Sequence, residues 1–393
     1  MKTNYYKTLI LILGLISFQS LSYAQNDYSP DYSRAKPLVF DDDDSYIFIE
    51  NLCALKRDGK WGFIDVNGNW VIQPIYDQWG ADPPFFSGGI CLVSVKAPDG
   101  YSMMPIYIDK LGNQLFKNQK FDAASPFFHG LAVIGKASGP VHVNVYSFID
   151  TKGNPVAGTV TPKFRSAFFE YSANNDGIAK MWDEKLSAFG IVKDGKWLIA
   201  AAKNKLHDTD LFSEGLCAAQ NSTDFKWGFI DLTGNVQVPY DFQQKPQAFS
   251  SGRALVQDDN FDNYYIDQSG NNAFGFKCSR PCFNFHDGKA VISVDRDGFK
   301  TLLVDVNGNT VQTLDVNADL AVNSDGRIVF NQHQHDGLTV LNPDGSVLIN
   351  DILVQKVYAF GCGRAYVRFF ADMENKAGFI DETGNILIVR SDK

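Results

Sequence analysis

The stretch Lys60-Trp61-Gly62-Phe63-Ile64-Asp65-Val66-Asn67-Gly68-Asn69-Trp70-Val71-Ile72-Gln73-Pro74 decides the reading of this chain. Two short apolar runs, rich in aromatic and β-branched residues, flank an Asp-x-x-Gly-Asn segment. Those residue types favour strands. Asp bonds local amides and Gly accepts positive φ, so the segment between them is a tight turn. The pattern returns as Trp227-Gly228-Phe229-Ile230-Asp231 with Gly234, and as Ala377-Gly378-Phe379-Ile380-Asp381 with Gly384. Weaker copies end at Asp109, Asp150, Lys193, Asp267, Asp305 and Asn342, at intervals of 36 to 44 residues. Self-similarity at such a period marks a repeat architecture.

Nine units result, and they share their parts. A first strand opens after a Gly, as in Gly130-Leu131-Ala132-Val133-Ile134, and the second strand carries the Trp-Gly pattern. The turn and a third strand follow. A short return then ends in Phe-x-x-Gly, as at Phe86 to Gly89 and Phe249 to Gly252. In the second strand the Ile64 position is aliphatic in all nine units, and its neighbour at the Phe63 position is apolar throughout. Alternate strand residues face opposite sides, so a strand apolar on both faces is covered on both. Each small sheet therefore lies between its neighbours, in a propeller-like ring or a curved open solenoid. The fold class expected is all-β, an array of about nine three-stranded antiparallel units. At the second position of the first strand stand Cys53, Cys91, Ala132, Ala179, Cys217, Ala254, Ala290 and Ala365, with Ile328 the exception. This small slot is a packing position.

Composition agrees. Of the 45 acidic residues only six are Glu, and there are 33 Gly. Asp and Gly serve turns, whereas Glu favours helices. The net charge of −9 argues against a nucleic-acid binder, which needs basic stripes to release counterions from phosphates. Residues 1–24 read as a signal peptide: Lys2 and Lys7 lie beside an apolar run from Thr8 to Phe18, and Ser22-Tyr23-Ala24 supplies small residues at the two positions a signal peptidase reads. That run is too short to span a bilayer, and no membrane span is expected elsewhere. Residues 25–45, with Pro30, Pro37 and Asp41 to Asp44, read as a flexible acidic leader. The repeat domain is expected over 46–393, exported and periplasmic or extracellular after cleavage near Ala24.

The chain resembles the bacterial WG-repeat, or KWG-repeat, proteins, through Lys60 to Asp65 with Val71-Ile72-Gln73-Pro74 and through Lys226 to Asp231 with Gly234-Asn235. The resemblance covers roughly residues 50 to 390, although Ser147, Tyr264, Leu302 and Thr339 replace the motif Gly in middle units. It implies a β-rich repeat scaffold, often exported, with no general catalytic residues to carry over. Within this pattern Trp61, Gly62, Asp65, Gly68, Trp227, Gly228, Asp231, Gly234, Gly378, Asp381 and Gly384 are structural.

Candidate chemistry is sparse. Cys278 and Cys282 are close enough in sequence for a local disulfide. His333-Gln334-His335-Asp336 offers two imidazoles without a third ligand, so neither a metal nor another cofactor is called for. No nucleophile elbow and no phosphate-cradling loop is present. Aromatic residues outside the template are the best binding candidates: Trp79, Tyr101, Trp182 beside Asp183, and Phe261 with Tyr264 around Asp262. Ring faces beside Asp or Asn suit sugar or peptide recognition. The function expected is a non-catalytic exported scaffold binding a protein or glycan at the cell envelope. The alternatives are a purely structural spacer and a glycan-cleaving enzyme, which needs paired carboxylates. Glu170, Asp176, Asp183 and Glu184 are the acids to test for the enzyme.

Overall fold

A computed structural model describes residues 32–41, 46–77, 83–138, 143–156, 163–164, 169–171, 178–183, 188–194, 196–200, 206–295, 298–332, 337–370 and 377–391. Among these residues there is no helix, and the strands form nine small sheets in chain order. Strands within a unit pair antiparallel, and the spatial order is return, first, second, third. Unit one shows the pattern, with Phe48–Ile49, Leu52–Arg57, Lys60–Asp65 and Trp70–Tyr76.

The expectation of three strands per unit is corrected by the return segment. Among the described residues it pairs with the first strand in every sheet but that of unit six, giving four strands per unit in seven sheets; unit two keeps its return strand but has no third strand, and unit six has two strands. In unit one this strand makes only two pairs, Phe48 with Cys53 and Ile49 with Leu52. A ladder that short leaves no alternation for a sequence to display. Its turn, Glu50-Asn51, was also hidden: both residues have positive φ, and Asn51 stands where other units have Gly. Two successive positive-φ residues make the hairpin turn that matches strand twist.

Conserved spacing within the repeat becomes contact between units. The second-strand aromatic of one unit meets the Phe of the Phe-x-x-Gly turn in the next. Ring centroids are 4.9 Å apart for Phe63 and Phe86, 5.0 Å for Tyr107 and Phe127, 4.7 Å for Phe229 and Phe249, and 5.2 Å for Tyr265 and Phe285. Each such pair adds about 0.5–1.5 kcal/mol beyond the area it buries. The turn Gly packs backwards onto the preceding unit. A Cβ on Gly112 would lie 3.4 Å from Ile72, one on Gly270 would lie 3.0 Å from Val238, and one on Gly384 would lie 3.1 Å from Ile349.

The same contacts join unit nine to unit one, which closes the array into a propeller ring. Phe379 meets Phe48 at 5.4 Å, and a Cβ on Gly68 would lie 2.9 Å from Ile388. Arg364 Nε donates to Val66 O at 3.2 Å, as Arg253 Nε donates to Val306 O at 2.7 Å between units six and seven. Cys362 Sγ accepts from Asn51 N at 3.3 Å. The return strands of units nine and one also meet, so closely that a Cβ on Gly361 would lie 2.1 Å from Phe48 O. They therefore form the inner edge of the ring, while third strands such as Trp70–Tyr76 expose alternate residues.

Part of the stretch read as a flexible leader is structure. Lys36–Leu38 pairs parallel with Ile386–Arg390 as a fifth strand of the last sheet. Phe40 is buried against Phe379, and Asp41 accepts hydrogen bonds from the amides of Asp58 and Gly59 in unit one. This segment thus spans the closure. Tyr32 packs edge-on to Phe369, and burial pushes its phenol up to about 12.

The small slot and the motif Gly have separate causes. Cys53, Cys91 and Cys217 are buried in the slot, and burial raises all three thiols. The motif Gly lies beneath the third strand. A Cβ on Gly62 would lie 2.6 Å from Ile72 O, and one on Gly228 would lie 2.5 Å from Val238 O. In both ladders the register shifts beside that Gly.

A candidate binding end of exposed aromatic side chains

Because strand order and direction repeat, the described first-to-second hairpin tips project from one end of the ring. The turns Asp-x-x-Gly-Asn and Phe-x-x-Gly occupy the other end. Five aromatic residues are among the exposed large hydrophobic side chains: Tyr101, Phe225, Phe261, Phe299 and Phe370. All five fall in or beside first-to-second connections, in units two, five, six, seven and nine. They share one end of the propeller, and three are on successive units.

The tips are built to hold their shape. Asp99 accepts from the amides of Tyr101 and Ser102 at 2.9 and 2.8 Å and from the Ser102 hydroxyl at 2.6 Å. Asn221 accepts from Thr223 N and Asp224 N, and Asp258 accepts from Asn260 N and Asp262 N. The Ser102 hydroxyl holds the Asp99 carboxyl below the usual range, and Lys277 does so for Asp258. Lys277 Nζ lies 2.5 Å from Asp258 and 2.8 Å from Asp262, tying the unit-six tip to the following connection.

Phe225 and Phe261 share a conformation. Their φ values are 60° and 64°, a region an L-aromatic residue rarely adopts. In each tip a Gln from the first strand donates to the strained carbonyl: Gln220 Nε2 to Phe225 O at 2.6 Å, and Gln257 Nε2 to Phe261 O at 3.1 Å. Phe261 is 67% exposed and Phe225 51% exposed, so burial does not account for the strain. His207 meets Phe225 edge-on at 4.8 Å.

Of the residues singled out from sequence, Tyr101 and Phe261 are exposed at this end. Tyr264 is half-buried on Asn263–Ile266 within the core between sheets, and burial raises its phenol. Trp182 and Asp183 end the first strand of unit four, in register with Phe189 and Ala188, which places them at the base of that tip. Trp79 lies outside the described residues, as do His333 to Asp336, Asp176 and Glu184, and the side chains of Glu170 and Asp183. Cys278 and Cys282 are thiols, not a disulfide. Cys278 is buried and its amide bonds Asn263 O of unit six, whereas Cys282 belongs to Ser279–Cys282 of unit seven and donates to Ser279 O. The two are committed to different sheets. Among the described residues no cluster of three His, Cys, Asp or Glu side chains could hold a metal. No described helix is long and apolar enough to cross a membrane.

Phe225, Phe299 and Phe370 escaped the sequence reading. Each is an aromatic residue in or beside a first-to-second connection, a place the repeat template never requires one, and that was the signal available.

Residues 61–96 and 227–260 match the WG-containing repeat, so the chain carries WG repeats. No curated protein matches the chain in sequence. In structure it is similar to a eukaryotic initiation factor, with a TM-score of 0.52 at 11% identity, over 86% of this chain and 94% of that one. It is also similar to BamB from Moraxella catarrhalis, with a TM-score of 0.31 at 14% identity, over 77% of this chain and 82% of that one. Hsv2p from Kluyveromyces lactis matches with a TM-score of 0.36 at 13% identity, over 71% and 98%. The likeness to the initiation factor extends to the fold, a β-propeller.

Proposed function

We propose that this propeller is an exported, non-catalytic scaffold that holds a protein or glycan of the cell envelope at its aromatic end. The observation that carries the proposal is the paired strain of Phe225 and Phe261, each clamped by a Gln and turned to solvent. Strained backbone persists where the surroundings enforce it, and it concentrates at sites that bind. Rigid aromatic side chains give large contact area at small entropic cost. Their spread over successive tips suits a partner surface that crosses several units, which favours a protein over a single sugar ring. Export rests on the reading of residues 1–24.

The test places a photo-crosslinking residue at Phe261 or at Leu111, which is exposed on a turn at the opposite end. Crosslinks to one discrete envelope component from position 261 and none from position 111 support the reading. Equal crosslinking from both ends, or recovery of the protein in the cytoplasm, sinks it. A glycan array probed with the mature chain and its Phe225→Ala/Phe261→Ala variant distinguishes the glycan from the protein partner.

A further inference from the structure

We propose a second binding site, for a neutral saccharide, on the inner edge of units six to eight. It is independent of the aromatic end. A pocket of about 300 Å³ lies where the return segments of three successive units converge, towards the end opposite the tips. Its polar wall is Gln247 of unit six, Asn284 and His286 of unit seven, and Asn323 of unit eight. Phe283 and Leu255 supply the apolar side.

The polar groups are fixed in place. Asn284 Nδ2 donates to Gln247 Oε1 at 3.4 Å across the unit boundary, and Asn323 Nδ2 donates to Val357 O at 3.4 Å. These bonds use one end of each carboxamide, and an amide has both a donor and an acceptor end. His286 is seated against the turn of the next unit, so closely that a Cβ on Gly326 would lie 2.7 Å from its Cβ. Among the described residues no Lys, Arg, Asp or Glu lines the pocket. A phosphate or carboxylate would find no counter-charge there, and a cation would find no carboxylate.

Paired amides, an imidazole and an apolar ring wall match a molecule with neutral hydroxyls on one edge and C–H surface on its face. The volume is at the lower end of small-molecule sites, room for roughly one or two sugar rings. The sequence reading missed the site because Gln247, Asn284 and Asn323 sit at unrelated offsets in their units.

Cys282 also lines the pocket and gives the assay. Cys53, Cys91, Cys217 and Cys278 are buried and Cys362 is exposed. In the full mature chain carrying Cys362→Ser, alkylation therefore reports on Cys282. Maltose, cellobiose and N-acetylglucosamine are titrated as probes, with glucose 6-phosphate and an N-acetyl amino-acid amide beside them. At least one neutral sugar should slow alkylation, and Asn284→Ala or Gln247→Ala should weaken that protection about tenfold, the loss of one or two hydrogen bonds. Saturation-transfer NMR on the same sugars reads binding without the thiol. The proposal is overturned if no neutral sugar binds by either readout, if binding is unchanged in both variants, or if only the phosphate or the peptide amide protects. Loss of the aromatic side chains at positions 225 and 261 should leave this binding intact.

Discussion

Replacing Gly228 by Ala adds one methyl group where the structure has no room for it. The new Cβ would lie 2.5 Å from Val238 O and 2.7 Å from Pro239 O. Both neighbours are backbone of the third strand Val236–Phe242, so no side chain can swing aside. The strand must move off Trp227–Asp231 at the point where their register already shifts. Overpacking of this kind costs about 1–3 kcal/mol, and the upper half of that range is expected here because the obstruction is main chain. Gly252→Ala is the control. Its φ is 73° but nothing lies within 4 Å of a Cβ there, so only the left-handed strain remains, about 1–2 kcal/mol. Urea unfolding followed by tryptophan fluorescence should therefore rank Gly228→Ala below Gly252→Ala and both below the parent. A Gly228→Ala midpoint equal to the parent's would refute the claim that the Trp-Gly motif exists to let the third strand cross.

Further outcomes are expected. Phe40→Ala empties a buried site at the closure and should cost about 3–5 kcal/mol, seen as a lower denaturation midpoint and proteolysis near residue 40. Phe261→Ala, at an exposed position, should change stability by no more than about 0.5 kcal/mol while weakening partner binding. The Thr233 hydroxyl, with neighbouring amides, lowers the Asp231 carboxyl to about 2. Its stabilising contribution is complete above the unfolded value of about 3.9 and is lost as pH falls through about 2. Acid unfolding should then occur later in the parent than in Asp231→Ala. A reducing agent should leave the melting temperature unchanged, since Cys278 and Cys282 are not bridged; a drop would show that they are.

The middle strands were legible because both their faces are buried, giving the apolar pair at Phe63 and Ile64 in every unit. The turns were legible because Asp and Gly are demanded by local geometry. Two kinds of element were not. The return strand of unit one is two residues long, and its Gly position is Asn51. The strand Lys36–Leu38 contains a Pro and finds its partner at Ile388 to Arg390, a pairing no local pattern encodes. Closure itself was undecided in sequence because it depends on Phe48, Gly68 and Val66 meeting Phe379, Ile388 and Arg364 across the whole chain. At the aromatic end, Tyr101 and Phe261 were visible as aromatic residues off the template. The strain at Phe225 was not, since a positive φ at an aromatic residue has no signature in composition.

The most direct test of the closed ring uses its own cysteine. Cys362 Sγ accepts from the amide of Asn51, 311 positions away in sequence. In an Asn51→Cys, Cys282→Ser variant, mild oxidation of dilute protein should form an intramolecular disulfide between positions 51 and 362, read as faster migration on a non-reducing gel and confirmed by peptide mass. A closed propeller predicts this bridge in monomers at high yield. Free thiols at both positions after oxidation, or bridges only between molecules, would contradict closure.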